Sequence, residues 1–169
     1  GHGRCKVESL ADESGPIGVQ LFDHRPQAMA DAARRAEASG AFLIDINMGC
    51  PVRKIARKGG GSGLIRDPEL AIRIVEAVAG AVAVPVTVKT RLGWCGSDAD
   101  PVLWCKQLEG AGAQLLTLHG RTRDQGFKGL ADWSAITQVR EALSIPLIAN
   151  GDINTPDDAL RCLNQTGAA

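Results

Sequence analysis

The sequence has few aromatic side chains, no net charge and no long apolar run. Aromatic residues make up 4% of the 169 residues and hydrophobic residues 44%, so aliphatic side chains must fill the core. Lysine plus arginine and aspartate plus glutamate both number 19, which excludes a global basic field and leaves only local contacts to a nucleic acid. No apolar run approaches the roughly 18 residues of a membrane span. These absences predict one soluble globular domain without a membrane partner.

The cysteines lack the paired spacing of a metal site. They are Cys5, Cys50, Cys95, Cys105 and Cys162. An odd number without such spacing argues against both a disulfide framework and a zinc site. The polar first residues also lack the apolar core of a signal peptide. We therefore expect a cytoplasmic protein that binds no metal.

Short apolar runs alternate with amphipathic stretches along the chain. The apolar runs, each of strand length, are 18–22, 41–48, 84–90, 114–119 and 145–150. The amphipathic stretches are 26–39, 68–79, 99–110, 133–143 and one that begins at 156. Asp67 and Thr155 each precede a proline, which is typical of a helix N-terminus. This alternation predicts a parallel sheet whose strands are joined by helical crossovers.

The predicted strands have one apolar face and one face that becomes polar toward their C-terminal ends, because residues two apart share a face. The apolar face carries Ile44, Ile46, Met48, Val86, Val88, Leu116, Leu118, Leu147 and Ala149. The polar face carries Gln20, Asp45, Asn47, Thr87, Lys89, Arg91, Thr117, His119, Arg121, Asn150 and Asp152. In a (β/α)8 barrel, the C-terminal ends of the strands form the mouth where active sites are built.

Two other folds fit part of this pattern. An antiparallel sheet with one solvated face also alternates, although the intervening helices argue against it. A doubly wound open sheet would bind ligands at the same strand ends. Five strands cannot close an eight-stranded barrel. We therefore expect an α/β fold that is a partial (β/α)8 TIM barrel, equivalent to strands three to seven, as a single domain over 1–169 in a longer protein.

Cys50 is the first candidate catalytic residue. It follows the polar end of a strand, with Gly49 and Pro51 on either side in a turn. A lone cysteine is usually a buried structural residue, but this position places the thiol at the barrel mouth. There it could act as a nucleophile or as a proton donor.

Lys89 is the second candidate, since it interrupts an apolar strand two residues before Arg91. A lysine here could stabilise an anion, form a Schiff base or simply extend from the barrel rim to water. The segment 150–152, followed by the helix start at Pro156, offers backbone amides suited to an anion.

Two further segments follow the cysteine. Arg53, Lys54, Arg57 and Lys58 form a basic cluster that is either a solvated face or a grip on RNA phosphates. The glycine-rich segment 59–63 lacks the lysine and hydroxyl of a phosphate-binding loop, so we expect a mobile loop.

Four motifs in register resemble those of the tRNA-dihydrouridine synthase family, particularly its bacterial B-type branch. They are DINMGCPVRKI at 45–55, VKTRLGW at 88–94, LHGRTR at 118–123 and IPLIANGDI at 145–153. The resemblance extends from about Gly18 to the C-terminus. It implies a flavin-dependent barrel enzyme that reduces uridine in tRNA to 5,6-dihydrouridine with FMN as cofactor and NADPH or NADH as reductant.

The resemblance also implies roles for individual residues. Cys50 would protonate C5 of the uracil ring while reduced flavin delivers hydride to C6. The residues expected to bind FMN are Gln20, Lys89, His119, Asn150, Gly151 and Asp152. The resemblance places Asn47 and Arg91 at the uracil of the substrate. The basic cluster, read from its charge alone, adds Arg53 and Lys54 as expected substrate contacts at the RNA backbone.

Three segments of the family have no counterpart in this sequence, namely the first strand, the last strand and the C-terminal helical RNA-binding domain. The longer protein is expected to be a monomer. Two other functions stay open: a flavin-dependent barrel oxidoreductase of the dihydroorotate dehydrogenase type, and a truncated non-catalytic RNA-binding remnant. The basic cluster after Cys50 favours RNA over a small substrate.

Overall fold

Five parallel strands form one sheet in the computed structural model, which describes residues 15–169. The N-terminal polar segment and Cys5 therefore lie outside the described residues, as do the side chains of Arg53 and Asp98. The strands are β1 (Gly18–Leu21), β2 (Leu43–Asn47), β3 (Val86–Arg91), β4 (Leu115–His119) and β5 (Leu147–Asn150). Their order in the sheet is the order in the sequence, and every pairing is parallel.

Helices connect the strands. They are α1 (Pro26–Ala38), α2 (Arg53–Ala56), α3 (Pro68–Ala79), α4 (Pro101–Gly110), α5 (Trp133–Ala142) and α6 (Pro156–Thr166), with 3₁₀ turns at Gly61–Arg66 and Gly96–Asp98. The expected strictly alternating α/β order is confirmed, and the architecture is that of a partial α/β barrel. A sheet in sequential order with every crossover on the same side is the arrangement that curves into a barrel.

Aspartate side chains cap the N-termini of α3, α4 and α5. Asp67 accepts a hydrogen bond from the Leu70 amide at the start of α3, and Asp100 accepts one from the Leu103 amide at the start of α4. The sequence predicted a helix from 99. It begins at Pro101 instead, because Asp100 is the capping residue and proline favours the first helical position. The four-residue helix α2 is too short for its periodicity to be seen in the sequence.

The predicted apolar face of the sheet forms the core. Ile44, Ile46, Val88, Leu116 and Leu118 are fully buried beneath the helices. Two buried polar side chains in the core are satisfied, since the Trp104 Nε1 donates to Thr90 Oγ1 at 3.0 Å and that hydroxyl donates to the Met48 carbonyl at 3.3 Å. This packing fixes the opposite face of the same strands as the inner face of the barrel.

After α6 the chain returns to the edge of β5. Ala169 donates to the Leu147 carbonyl at 2.8 Å and accepts from the Ala149 amide at 3.0 Å, which is parallel-strand pairing. Among residues 15–169, the helices are all too short or too polar to cross a bilayer.

Candidate active site

Cys50 sits in a turn that Asn47 holds closed. The Asn47 Oδ1 accepts hydrogen bonds from the amides of Gly49, at 3.2 Å, and Cys50, at 3.0 Å. Its Nδ2 donates to Gln20 Oε1 at 3.0 Å. The Cys50 carbonyl in turn accepts from the Ser62 amide at 3.1 Å. The thiol, which is partly exposed, is therefore presented at the end of β2 by a turn that is fixed on both sides.

The expectation of a mobile loop at 59–63 is wrong. Gly61 and Ser62 are buried in the 3₁₀ turn after α2. A Cβ on Gly61 would lie 3.1 Å from Cys50 Cβ, and one on Gly63 would lie 2.5 Å from the Ala56 carbonyl oxygen. Gly59 and Gly61 also have φ values of 83° and 55°, which favour glycine. The glycines therefore allow the backbone to pack against the cysteine turn.

A cavity of about 280 Å³ opens at the C-terminal ends of the strands, and six of the predicted site residues line it. They are Asn47, Cys50, Lys89, Arg91, His119 and Asn150. The sequence prediction that these residues converge on one rim is confirmed. Gln20 lies beside the cavity and reaches it through its hydrogen bond with Asn47.

The parallel register explains this convergence. Arg91, His119 and Asn150 are direct partners across β3, β4 and β5, and Asn47 is the partner of Lys89. Residues in such a row point to the same side of the sheet, and parallel strands bring their C-terminal ends to the same edge. Residues about 100 positions apart in sequence therefore line one cavity.

Lys89 is the cation on the floor of the cavity. Its Nζ donates to Asn150 Oδ1 at 2.8 Å. Burial lowers the pKa of Lys89, Arg91 lowers it further, and Asp45 raises it. Asp45 itself accepts from Thr87 Oγ1 at 2.7 Å and from Gln20 Nε2 at 2.6 Å. The Asn150 amide thus holds the ammonium in place. Because burial weakens the hydration of the ammonium, its attraction for an anionic ligand is stronger.

His119 has a buried ring nitrogen without a partner. Its Nδ1 makes no hydrogen bond with the described residues, although 93% of the residue's surface is buried. Burial, followed by the neighbouring cations Arg91, Lys89 and Arg121, lowers the pKa of His119 to about 4, although Asp152 raises it. The imidazole is therefore neutral at physiological pH. A buried polar atom of this kind usually has a ligand or water as its partner.

Substitution of His119 by asparagine is expected to remove part of the loss of stability in acid. In the unfolded chain, His119 is protonated near its ordinary pKa of 6.5. In the folded chain it stays neutral until the pH falls to about 4. Protons therefore favour unfolding in this window, and the free energy of unfolding falls as the pH drops from about 6.5 to about 4. Denaturant unfolding at about pH 7 and about pH 5 should show a smaller difference for His119→Asn than for the wild type.

The matched control is His24→Asn, since His24 is exposed on the loop between β1 and α1. It should keep the whole acid-induced loss. Equal pH dependence of the wild type and His119→Asn would contradict the assignment of this loss to His119.

Arg91 holds two loops together beneath the cavity rim. It is 3% exposed, and it donates from Nε to the Gly49 carbonyl at 2.9 Å and from Nη1 to the carbonyls of Thr122, at 3.2 Å, and Gly126, at 2.9 Å. Burial, followed by Arg121, lowers its pKa, and the nearby Cys50 raises it. Nη2 has no hydrogen-bond partner in the described part of the chain, so it is the donor left for a ligand.

Phe127 is a cavity residue that sequence reasoning missed. Its ring lies 5.6 Å from the Arg91 Cζ and makes an edge contact with His119 at 6.3 Å between centroids, yet the residue is 77% exposed. Gly126 and Gly129, with φ of 60° and 68°, form the turns that present it. The run QGFKG at 125–129 contains a glycine on each side of an aromatic residue, which is a usable signal for a presented side chain.

Asp152 contributes to the rim through Arg121. The Arg121 Nη2 donates to Asp152 Oδ1 at 2.5 Å and to the Gly129 carbonyl at 2.6 Å. The other carboxylate oxygen accepts from the Ala131 amide at 2.6 Å. Hydrogen bonds from Ala131 and then Arg121 lower the pKa of Asp152, which is therefore ionised. The carboxylate therefore fixes the loop between β4 and α5.

Gly151 lies directly against His119. A Cβ at this position would lie 3.3 Å from His119 Cε1 and 3.0 Å from Ala131 Cβ. Its φ of 116° is also one that side chains rarely adopt. Glycine is therefore required here for the strand end to pass close to the imidazole.

The N-terminus of α6 does not favour the anion that the sequence suggested there. Asp158 accepts from the amides of Asn154, at 3.1 Å, and Thr155, at 3.0 Å, and Thr155 Oγ1 accepts from the Asp158 amide. Asp157 adds a second carboxylate in the first turn. These groups satisfy the amides and place negative charge where the anion was expected.

A second cavity, of about 360 Å³, lies beside the first. It is formed by the loop after β1 and by α2, and Lys54 and Lys58 line it. The predicted contact residue Lys54 is exposed there, and the side chain of Arg53 lies outside the described residues. Two members of the basic cluster after Cys50, Lys54 and Lys58, therefore border a cavity.

Comparison with known proteins adds evidence from outside the structure. A family model described as dihydrouridine synthase matches residues 2–169. A probable tRNA-dihydrouridine synthase 1 from Synechocystis sp. is 55% identical over 163 residues, covering 96% of this chain and 46% of the relative. A tRNA-dihydrouridine synthase B from Xanthomonas axonopodis pv. citri is 47% identical over 159 residues, covering 94% and 48%. The chain thus spans about half the length of these relatives.

Solved structures resemble this chain in fold alone. A putative phosphonomutase from Burkholderia cenocepacia has a TM-score of 0.68 at 16% identity and covers 96% of this chain and 65% of its own. A dipeptide epimerase from Enterococcus faecalis has a TM-score of 0.61 at 18% identity and covers 91% and 36%. At these identities the likeness supports the barrel fold and carries nothing on chemistry.

Proposed function

The chain belongs to the dihydrouridine synthase family, and from that premise we propose that it is the central segment of a longer tRNA-dihydrouridine synthase that reduces tRNA uridines in the cytoplasm as a monomer. FMN is the cofactor, and NADPH or NADH is the reductant. The observation that carries the proposal is the single cavity in which Cys50, Lys89, His119 and Asn150 meet. A thiol and a half-buried cation in one cavity fit a reaction in which one atom of a ring is protonated and its neighbour is reduced.

The donors of the cavity fit the flavin ring system. His119 Nδ1 is a buried ring nitrogen with no partner among the described residues, and Lys89 supplies a positive charge in the same cavity. Gln20 and Asn150 add amide groups that can donate as well as accept. Gly151 and Asp152 contribute backbone at the strand end beside His119. A neutral imidazole next to a lysine suits a ring that is uncharged when oxidised and anionic when reduced.

Cys50 is the proton donor in this proposal. When bound, the flavin supplies a hydride to C6 of the uracil ring. The Cys50 Sγ gives its proton to C5, and the thiolate that remains lies close to the Arg91 guanidinium, whose charge stabilises it. Asn47 keeps the thiol in place by holding the amides of Gly49 and Cys50. The fixed turn removes the need for the loop to reorganise during proton transfer.

The uracil ring is held by polar donors and one aromatic wall. Arg91 Nη2 is the guanidinium nitrogen left without a partner in the described residues, and Asn47 lies on the other side of Cys50. Phe127 stands at the entrance over Arg91. A base that has left its stack is commonly held by hydrogen bonds to its polar edge together with apolar contact to its face.

Arg53 and Lys54 are proposed to contact the RNA backbone. Replacement of Lys54 by alanine should weaken tRNA binding and make the logarithm of the binding constant less steep against the logarithm of salt concentration, by about one unit. The reason is that one fewer phosphate-bound counterion is released. Filter binding across a salt series measures this slope.

Lys106 provides the control for Lys54. It is an exposed lysine on α4 that pairs with Glu109 at 2.7 Å. Lys106→Ala should leave the slope unchanged. A wild-type slope in Lys54→Ala would remove this residue from the RNA contact.

The function itself is tested with the full-length protein. We expect it to purify yellow and to form dihydrouridine in unmodified tRNA when NADPH is supplied, which mass spectrometry detects as a gain of two hydrogens. Turnover of free orotate or dihydroorotate without activity on tRNA would identify a dehydrogenase instead. RNA binding without any flavin would identify a non-catalytic remnant.

A further inference from the structure

The second cavity is bordered by a set of side chains that the proposed chemistry does not use. The loop after β1 lines it with Phe22, Asp23, His24 and Arg25. Ile55 of α2 and Lys58, which follows α2, line the other part. At about 360 Å³ it is larger than the 280 Å³ cavity that contains Cys50. Such a volume is in the range of small-ligand sites.

The charge of this cavity is positive. Asp23 is paired with Arg25 at 2.6 Å, and hydrogen bonds led by the Arg25 side chain lower the pKa of Asp23 to about 2, so the pair is ionised and neutral as a unit. Lys54 and Lys58 form no ion pair with the described residues. The two lysines without a carboxylate partner therefore make the net charge of the cavity positive. A ligand of complementary charge is an anion.

The wall of the cavity also contains apolar surface. Phe22 is 60% exposed although it directly follows a strand, and Ile55 is half-buried beside it. Exposed aromatic rings next to unpaired lysines are the combination with which proteins bind single-stranded nucleic acid, the ring stacking on a base and the cation meeting a phosphate. Inorganic phosphate alone would leave the ring without a role.

The position of the cavity relative to Cys50 identifies the occupant. The two cavities are close together, because a Cβ placed on Gly61 would lie 3.1 Å from Cys50 Cβ, at the first cavity, and 3.2 Å from Ile55 Cγ2, at the second. A strand that delivers a base to Cys50 can therefore place the neighbouring nucleotide in the second cavity.

We infer that the second cavity binds the RNA nucleotide next to the target uridine, with its base stacked on Phe22 and its phosphate against Lys54 and Lys58. This inference rests on the proposed function and adds a contact outside the reacting base. It makes the loop after β1 part of the RNA-binding surface.

Substitution of Phe22 tests the stacking contact in the full-length protein. Phe22→Ala is expected to raise the KM for tRNA by about 5- to 100-fold, the loss typical of one base–aromatic stack. The salt slope of tRNA binding should stay at the wild-type value, because no phosphate contact is lost. Phe22→Tyr should restore the KM, since a ring is present again. Lys58→Ala should instead lower the salt slope by about one unit.

Phe42→Ala is the matched control. Phe42 is 58% exposed, close to the 60% of Phe22, but it precedes β2 at the opposite end of the sheet. It should leave the KM for tRNA unchanged. Equal KM values for wild type and Phe22→Ala in an enzyme that makes dihydrouridine would overturn the inference and leave the function standing. A rise in the KM for NADPH in place of that for tRNA would overturn it too, in favour of the reductant.

Discussion

Replacement of Cys50 by alanine is expected to slow dihydrouridine formation by about 10²- to 10⁴-fold, the usual contribution of a general acid. Among residues 15–169, Cys50 is the only cysteine that lines the 280 Å³ cavity, and its turn is fixed by Asn47 and Ser62. Alanine keeps this backbone and removes the proton donor alone. The flavin content of the purified protein should therefore stay at the wild-type level, as measured by absorbance after release of the cofactor.

Cys95→Ala is the control variant, because it also removes a cysteine but leaves Cys50 in place. Cys95 is also partly exposed, but it lies in the loop between β3 and α4, outside the residues that line the cavity. It should retain wild-type turnover. Single-turnover assays with reduced enzyme and tRNA report the chemical step directly. Undiminished turnover in Cys50→Ala would show that another group protonates the ring.

Replacement of Lys89 by methionine is expected to slow flavin reduction by NADPH by about 10²- to 10³-fold, the effect of removing one preorganised electrostatic group. Methionine keeps the length and apolar volume of the side chain but removes the charge. The ammonium of Lys89 is half-buried and fixed by Asn150 Oδ1 at 2.8 Å. A cation in such a weakly hydrated position stabilises a developing anion more than a solvated lysine does.

Stopped-flow absorbance under anaerobic conditions measures this rate, and potentiometry should show a lower midpoint potential in Lys89→Met. Lys106→Met is the control, because this exposed lysine pairs with Glu109 on α4, away from the cavity. Lys89→Arg should recover part of the rate. If Lys89→Met reduces its flavin as fast as the wild type, the positive charge has no role in the proposed flavin site.

The order of elements and the identity of the strand-end residues were predictable from the sequence. Alternating apolar runs and helical stretches define crossovers, and crossovers make strands parallel. Once the strands are parallel, residues such as Lys89, His119 and Asn150 must share one edge. Their meeting in one cavity follows from local patterns repeated along the chain.

The loops were predicted less well, because their structure depends on contacts between distant parts of the chain. The glycines at 59–63 suggest mobility when read alone, but Gly61 faces Cys50 and Gly63 faces Ala56. Phe127 belongs to the cavity because Arg91 and Arg121, on and just beyond neighbouring strand ends, bind the carbonyls of Gly126 and Gly129. These hydrogen bonds span five residues or more and have no periodic signal.

The sequence by itself determined the barrel-like sheet and the set of side chains at its mouth, since both depend on the two-residue repeat of strands and on the crossover rule. Only the tertiary structure decided how those side chains are used. It buried His119 without a partner for Nδ1 among the described residues, left one nitrogen of Arg91 for a ligand and placed Phe22 in a cavity with Lys54 and Lys58. Burial and hydrogen bonding are set by neighbours from other elements, and a linear pattern does not contain them.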